Sequence, residues 1–360
     1  MITFKRGCSG PTLIEVAEAA RVSRQTVSNA INAPHLLRPD TLARVLAAID
    51  ELGYVPNRMA RGLRTRESGQ IGYLLDGRRH GPDAFVQDRF LYALSAAAEA
   101  QGYLLVLFNR GPGDEPPTRY PEMLGTGSVD GFVLYRIGAD DPGPALLADR
   151  RVPCVCFGRP GGEAAGAMGW VDVDASAGTR AAVDHLIAAG HRNIAFLGLD
   201  DPPGPAAYGP GEPGAGECGA EGTGEPRLAG WRRAMLRYGL PADRCEYVTG
   251  TREDAARGAL RLLTRADPPT AVVTANDTLA LGCYAAARQL GLEIGRDFAV
   301  IGFDDSPAAS LVTPTLTSVR QPLGQIGHEV MRLLTARLRG LQTEQTGVLL
   351  TPSLALRESA

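Results

Sequence analysis

Six polar side chains crowd one short stretch, Ser23, Arg24, Gln25, Thr26, Ser28 and Asn29. If residues 24–32 are helical, Val27 and Ile31 stand one turn apart and face inward, while Arg24, Gln25, Ser28 and Asn29 face elsewhere. Such a face can hydrogen-bond base edges and phosphates in a nucleic-acid groove, or can simply be the solvated side of a small bundle. Catalytic constellations are not evident. Gly214-Ala215-Gly216-Glu217-Cys218-Gly219 fits GxGxxG, but no strand precedes it and no helix follows directly, so dinucleotide binding is not expected. A Walker loop needs a lysine, and the only one is Lys5. His328-Glu329 lacks the second histidine of HExxH, the five histidines never cluster, and no GxSxG occurs. Cys8, Cys154, Cys156, Cys218, Cys245 and Cys283 contain no CxxC pair, which points to buried thiols and away from a zinc knuckle or disulfide framework. No catalytic residue, metal or cofactor is expected.

The elements around the polar stretch form a compact head. Thr12 precedes the periodic run Leu13, Ile14, Val16, Ala17, Ala20, and Glu15 stands three residues on, the spacing of a capping box. A helix from about Leu13 to Ala19 is followed by a tight turn, Ala20-Arg21-Val22, and by Ser23 as N-cap of a second helix. A third helix has Pro39 in its first turn, a stripe of Leu42, Val45, Leu46, Ile49 and Leu52, and Gly53 at its end. Helix, short turn, helix with a polar outer face is the helix-turn-helix arrangement.

The 360 residues predict two or three domains. Residues 1–69 carry ten basic and six acidic side chains, although the whole chain has a net charge of -3. A basic head on an acidic body suits contact with a polyanion through the head alone. No apolar run approaches the roughly 18 residues of a membrane span, and the first residues lack the apolar core of a secretory signal, so a cytoplasmic protein with no membrane partner is expected.

Beyond residue 69, apolar runs read as strands (Ile71–Leu75, Tyr103–Phe108, Phe132–Tyr135, Cys154–Phe157) alternate with helices at Phe85–Ala100, Pro116–Leu124 and Pro144–Arg150. A second series has strands Ile194–Leu197, Ala271–Thr274 and Phe298–Ile301 and helices Ala175–Ala189, Arg227–Tyr238, Glu253–Thr264 and Thr278–Leu290. The alternation predicts an α/β body with two doubly wound parallel sheets, hence two lobes, and a ligand cleft at the carboxyl ends of the strands. Residues 201–225 are rich in Gly and Pro and read as a surface loop.

Two gap-free motifs, residues 13–32 (LIEVAEAARVSRQTVSNAIN) and residues 51–63 (ELGYVPNRMARGL), resemble the head of the LacI/GalR family of bacterial regulators. In the body, VDGFVL at 129–134, GHRNIAFLG at 190–198, RLAGW at 227–231, ANDTLALG at 275–282 and VIGFDD at 300–305 are similar to the same family, whose body is like periplasmic sugar-binding proteins. The resemblance implies an extension at 1–11, a DNA-binding head at 12–55, a hinge helix and linker at 56–69, and an effector-binding and dimerisation body at 70–360. The lobes are expected at about 70–172 with 322–345 and at about 173–321 with 346–360, the chain crossing near Asp172, Gln321 and Thr346.

The resemblance also implies roles. Arg24, Gln25 and Asn29 match base-reading positions, with Arg suited to guanine and the amides to adenine. Ser23, Thr26 and Ser28 suit phosphates, Asn57 and Arg58 the backbone, and Leu63 a wedge in the minor groove, unless it is an ordinary linker residue. Arg227, Asn276 and Asp304 match effector contacts; an Arg fork, an amide and a carboxylate suit a polyol, although Arg227 and Asp304 would also serve as an inter-lobe salt bridge. Phe157, Arg159 and Phe85 are second-rank candidates, the two phenylalanines being equally suited to core packing. The expectation is a homodimeric repressor on double-stranded operator DNA, controlled by a small effector, a sugar before a nucleoside or purine. A solute-binding protein without a DNA role and an α/β enzyme are the rival classes.

Overall fold

The structure is a computed structural model. It describes residues 11–55, 67–76, 84–110, 129–137, 141–160, 168–199, 226–341 and 347–360, and the helix expected at 116–124 falls outside these. The chain forms two compact units, Met1–Ser68 and Gly69–Ala360.

The first unit holds α1 (Leu13–Ala19), α2 (Arg24–Asn32) and α3 (Pro39–Leu52), with a 3-10 turn at Pro34–Leu36. The capping box forms: the Thr12 side chain accepts from the Glu15 amide and the Glu15 carboxylate accepts from the Thr12 amide. Val16, Ala17, Ala20, Val27, Ala30, Val45 and Ala48 make the core, and Leu42, Ile31 and Ile49 pack at its rim. The apolar stripe of α3 is narrower than expected. Leu46 is 48% exposed and Leu52 is also exposed. Leu46 lies one residue, about 100°, round the helix from buried Val45, and Leu52 sits in the last turn, before Gly53 ends the helix at φ 62.

The second unit opens with β1 (Gln70–Asp76), α4 (Ala84–Ala100), β2 (Leu104–Arg110), β3 (Gly131–Tyr135), α5 (Gly143–Asp149), β4 (Cys154–Phe157) and β5 (Gly169–Val173). It continues through α6 (Ala175–Ala188), β6 (Ile194–Leu199), α7 (Pro226–Arg237), β7 (Cys245–Val248), α8 (Arg252–Leu263), β8 (Ala271–Thr274), α9 (Asp277–Leu290), β9 (Ala299–Phe303) and β10 (Thr317–Arg320). Last come α10 (Leu323–Leu338), β11 (Gly347–Leu350) and β12 (Ser353–Ala355). One sheet runs β11-β5-β4-β3-β1-β2, all parallel; the other runs β12-β10-β9-β8-β6-β7, parallel except for β12. Parallel strands must be covered on both faces. Alternate residues of β3 and β4 do so: Val133, Tyr135, Val155 and Phe157 pack with residues of α4 and α10, and Phe132, Leu134, Cys154 and Cys156 pack with Leu147 of α5. Burial pushes the thiols of Cys156 and Cys283 up to about 12 and that of Cys154 to about 11, so these are inert apolar fillers.

The chain passes between the sheets three times. The first passage follows Val173, where Asp174 caps α6 by accepting from the Ala177 amide at 2.7 Å. The second follows Arg320 and enters α10 through Gln321-Pro322. The third corrects the boundary expected at 346. Gly347–Leu350 pair with Trp170–Val173 in the first sheet, and Val348 and Leu350 pack on that lobe's core, so the passage is at Thr351-Pro352.

Candidate DNA-reading face and effector cleft

On the first unit, Ser23 caps α2: its Oγ accepts from the Thr26 amide at 3.1 Å and shares a 2.9 Å hydrogen bond with the Thr26 hydroxyl. Arg24 and Gln25 are exposed, and Ser28 and Asn29 are half-buried. Gln25 Nε2 donates to Asn29 Oδ1 at 2.9 Å. That leaves the Gln25 carbonyl and the Asn29 amino group for a further partner, an acceptor and a donor on neighbouring turns. The preceding turn holds Arg21 at φ 51, and Arg44 Nε donates to the Ala20 carbonyl at 2.9 Å, tying α3 to it. Asn57, Arg58 and Leu63 lie outside the described residues.

In the second unit, β6, β8 and β9 are successive neighbours in one sheet. Asn276 and Asp304 follow the carboxyl ends of β8 and β9, and Arg227 stands in the first turn of α7, the helix after β6. All three are buried. Asn276 caps α9 with Oδ1, which accepts from the Leu279 amide at 2.9 Å. Its Nδ2 is buried with no hydrogen-bond partner among the described residues, and an unmet buried donor is costly. The Arg227 guanidinium lies over the Phe303 ring, 4.4 Å from its centroid, and 4.0 Å from Asp304 Oδ1. Asp304, 6% exposed, accepts from Gln321 Nε2 at 2.6 Å. Its φ of 106 is a left-handed value for a residue with a side chain, which costs roughly 1–3 kcal/mol.

The first lobe supplies a group that the sequence had marked only as a crossing. The Asp172 carboxylate accepts from the amides of Arg159 at 3.0 Å and Val173 at 2.7 Å. Burial pushes this carboxyl up, against those amides and against the positive charges of Arg136 and Arg227. Asp172 of one lobe and Arg227 of the other therefore sense each other's charge. The second-rank candidates are placed differently. Phe157 is buried in an aromatic cluster, its centroid 4.6 Å from Phe90 and 5.4 Å from Tyr135. Phe85 is half-buried under the Arg89 guanidinium, 5.9 Å away. The Arg159 guanidinium lies over the Trp170 ring at 5.4 Å. These partners, Phe90, Tyr135, Arg89 and Trp170, all belong to the first lobe.

Known proteins match both units. Residues 12–57 match the family of bacterial regulatory proteins, lacI family, and residues 183–360 match a periplasmic binding protein-like domain. The transcriptional regulator CelR of Thermobifida fusca is 34% identical over 354 residues, 97% of this chain and 98% of that protein. Among solved structures, a CelR–cellobiose complex is 32% identical with a TM-score of 0.68, covering 97% of this chain and 100% of that one. A lac repressor dimer bound to operator and an anti-inducer is 26% identical with a TM-score of 0.73, covering 98% and 99%. With the head, both sheets and nearly the full length in common, the chain belongs to the LacI family of bacterial regulatory proteins.

Proposed function

We propose that this regulator is a homodimeric repressor whose hold on a two-fold symmetric operator is set by a neutral, hydroxyl-rich effector, a sugar, bound between the lobes of its second unit. The observation that carries the effector reading is the buried, unmatched Nδ2 of Asn276, which follows β8 as Asp304, paired with Arg227, follows the neighbouring strand β9. The charges favour a neutral ligand. Arg227 lies beside Asp304, so its positive charge is already faced by a carboxylate. Hydroxyls both donate to Asp304 and accept from Asn276 and Arg227. The related CelR is known in complex with cellobiose. Phe157 and Phe85 would contribute apolar walls of the same lobe as Asp172; Arg159, committed to Trp170, would act at most through the Asp172 it neighbours.

On DNA, Arg24, Gln25 and Asn29 would read bases. The acceptor–donor pair left by Gln25 and Asn29 complements the donor and acceptor of an adenine edge. Ser23, Thr26 and Ser28 would meet phosphates, with Asn57 and Arg58 on the backbone and Leu63 wedged in the minor groove. The lac repressor relative binds its operator as a dimer, and a two-fold protein calls for a two-fold site. We read the protein as cytoplasmic and without a catalytic role. No helix of the described residues is long and apolar enough to cross a membrane, and its relatives are regulators.

The test is selection of bound sequences from random duplex DNA by the purified protein, with and without pooled mono- and disaccharides. The expected result is one near-palindromic site whose enrichment changes when the sugars are added. Arg24→Ala should weaken binding and relax preference at one position in each half-site, a loss of about 1–3 kcal/mol of discrimination. No enrichment under either condition would defeat the operator reading.

A further inference from the structure

After β9 the chain makes two consecutive non-glycine residues at positive φ, Asp304 at 106 and Asp305 at 52. The Asp304 carboxylate accepts from Gln321 and lies beside Arg227. Asp305 is held by different partners: its Oδ1 accepts from Arg357 at 2.6 Å and its Oδ2 from Arg320 Nε at 2.5 Å. The two arginines are not equivalent. The Arg357 side chain is 18% exposed and that of Arg320 57%, so the Arg357 pair is the less screened of the two. Arg357 is itself fixed. Its other guanidinium nitrogen donates to the Leu316 carbonyl at 2.8 Å, and its amide donates to Thr317 Oγ1 at 2.9 Å. Two residues on, Ser359 accepts from the Thr317 amide and donates to the Val300 carbonyl. The C-terminal segment is thus stitched to β9 and β10, with the Arg357 guanidinium bridging Asp305 and the Leu316 carbonyl.

We propose that Arg357 and Asp305 form a positioning clamp that holds the left-handed turn and so aims the Asp304 carboxylate into the cleft. A left-handed pair of residues with side chains relaxes toward negative φ unless something over-determines it. Here the amide hydrogen bonds of the turn (Asp304 to the Val319 carbonyl at 2.8 Å, Asp305 to Ser318 Oγ at 3.0 Å) fix its backbone, and the Arg357 guanidinium on the Asp305 carboxylate fixes its far side. Without the Arg357 bond the turn can unwind, and Asp304, one residue away, swings off Gln321 and Arg227. Neither Arg357 nor Asp305 is a ligand contact; both act through Asp304. The consequence for ligand binding rests on the reading of Asp304 as an effector contact.

The experiment compares the full-length wild type with Arg357→Met, which keeps the apolar stem, and Asp305→Asn, which keeps size and tolerance of positive φ. Hydrogen–deuterium exchange reads the Asp304 and Asp305 amides without any ligand, and calorimetric titration with cellobiose reads the site. Both variants should exchange these two amides at least tenfold faster, leave the amides of α8 unchanged, and bind cellobiose about tenfold more weakly. Unchanged exchange at 304 and 305 in both variants would overturn the clamp. So would faster exchange with undiminished cellobiose affinity. Faster exchange with no cellobiose bound even by the wild type would leave the clamp standing and count against the sugar reading instead.

Discussion

Asp277 opens α9 next to Asn276 and faces two donors, the Ser318 hydroxyl at 2.6 Å and the Ser306 amide at 2.6 Å. It lies against Gly302, where no Cβ would fit beside its Oδ1. Both hydrogen bonds favour the carboxylate, yet burial outweighs them, with a smaller push from the negative charge of Asp305, and raises the carboxyl from its ordinary 3.8 to about 6. A carboxyl raised in the folded state contributes stability that is fully present below about pH 4 and is lost as pH rises through about 6. The interval from 3.8 to about 6 corresponds to roughly 3 kcal/mol. Urea unfolding of wild type and Asp277→Asn should therefore show the wild type gaining on the variant by up to this amount from pH 7 to pH 4. A constant gap would mean that the carboxyl ionises as freely folded as unfolded. Arg227, Asn276 and Asp304 are singled out by the resemblance of their motifs to the family, and the strand ends and helix start where they stand are compatible with that reading. The sequence could not reveal Asp172, Gln321 or the Arg357–Asp305 pair, whose partners are brought together only by the sheet, the last two being 52 residues apart.

Helix pairs close over both sheets at glycines. Gly230 of α7 abuts the Ser176 backbone of α6, Gly282 of α9 abuts Ala255 and Ala256 of α8, and Gly327 of α10 lies where a Cβ would be 2.7 Å from the Ala93 backbone of α4. Gly230→Ala would gain about 1 kcal/mol of helix propensity, but its methyl would meet the Ser176 carbonyl, a backbone atom that cannot rotate away. Overpacking of this kind costs roughly 1–3 kcal/mol, so the variant should have a lower urea midpoint with an unchanged slope. A higher midpoint would show that the two helices can separate freely. The longer elements were readable from the sequence because their apolar runs and caps are strong: Thr12 and Ser23 cap the first two helices as their spacing predicts. The short closing elements were not. Strand β12 has three residues, and β11, Gly-Val-Leu-Leu, has none of its four fully buried. A segment that small is a strand only because β5 supplies its hydrogen bonds, so the sequence pattern alone places the third crossing at 346 instead of 351–352.

At the scale of the molecule, two of the three crossings converge on the turn that carries Asp304. The second crossing begins with Gln321, whose amide donates to Asp304, and the third delivers β12, which pairs with β10 and leads to Arg357 on Asp305. A ligand that draws on Asp304 therefore acts where the lobes are joined, which is where a small displacement changes their angle. Asn276 is different: it belongs to one lobe alone, between β8 and α9. This separates affinity from response. Gln321→Ala removes a hydrogen bond to a charged group, worth about 1.5–3 kcal/mol, so sugar affinity should fall roughly tenfold or more. The change in operator affinity at saturating sugar should also shrink, because the coupling is carried by the difference between the two lobe arrangements. Asn276→Ser keeps a good helix cap but loses the amide donor; it should weaken sugar binding while leaving the full operator response once the sugar is saturating. Operator titrations at several sugar concentrations measure both quantities for each variant. Equal retention of the saturated response in the two variants would mean that the crossing at Gln321 holds the ligand without transmitting its presence to the head.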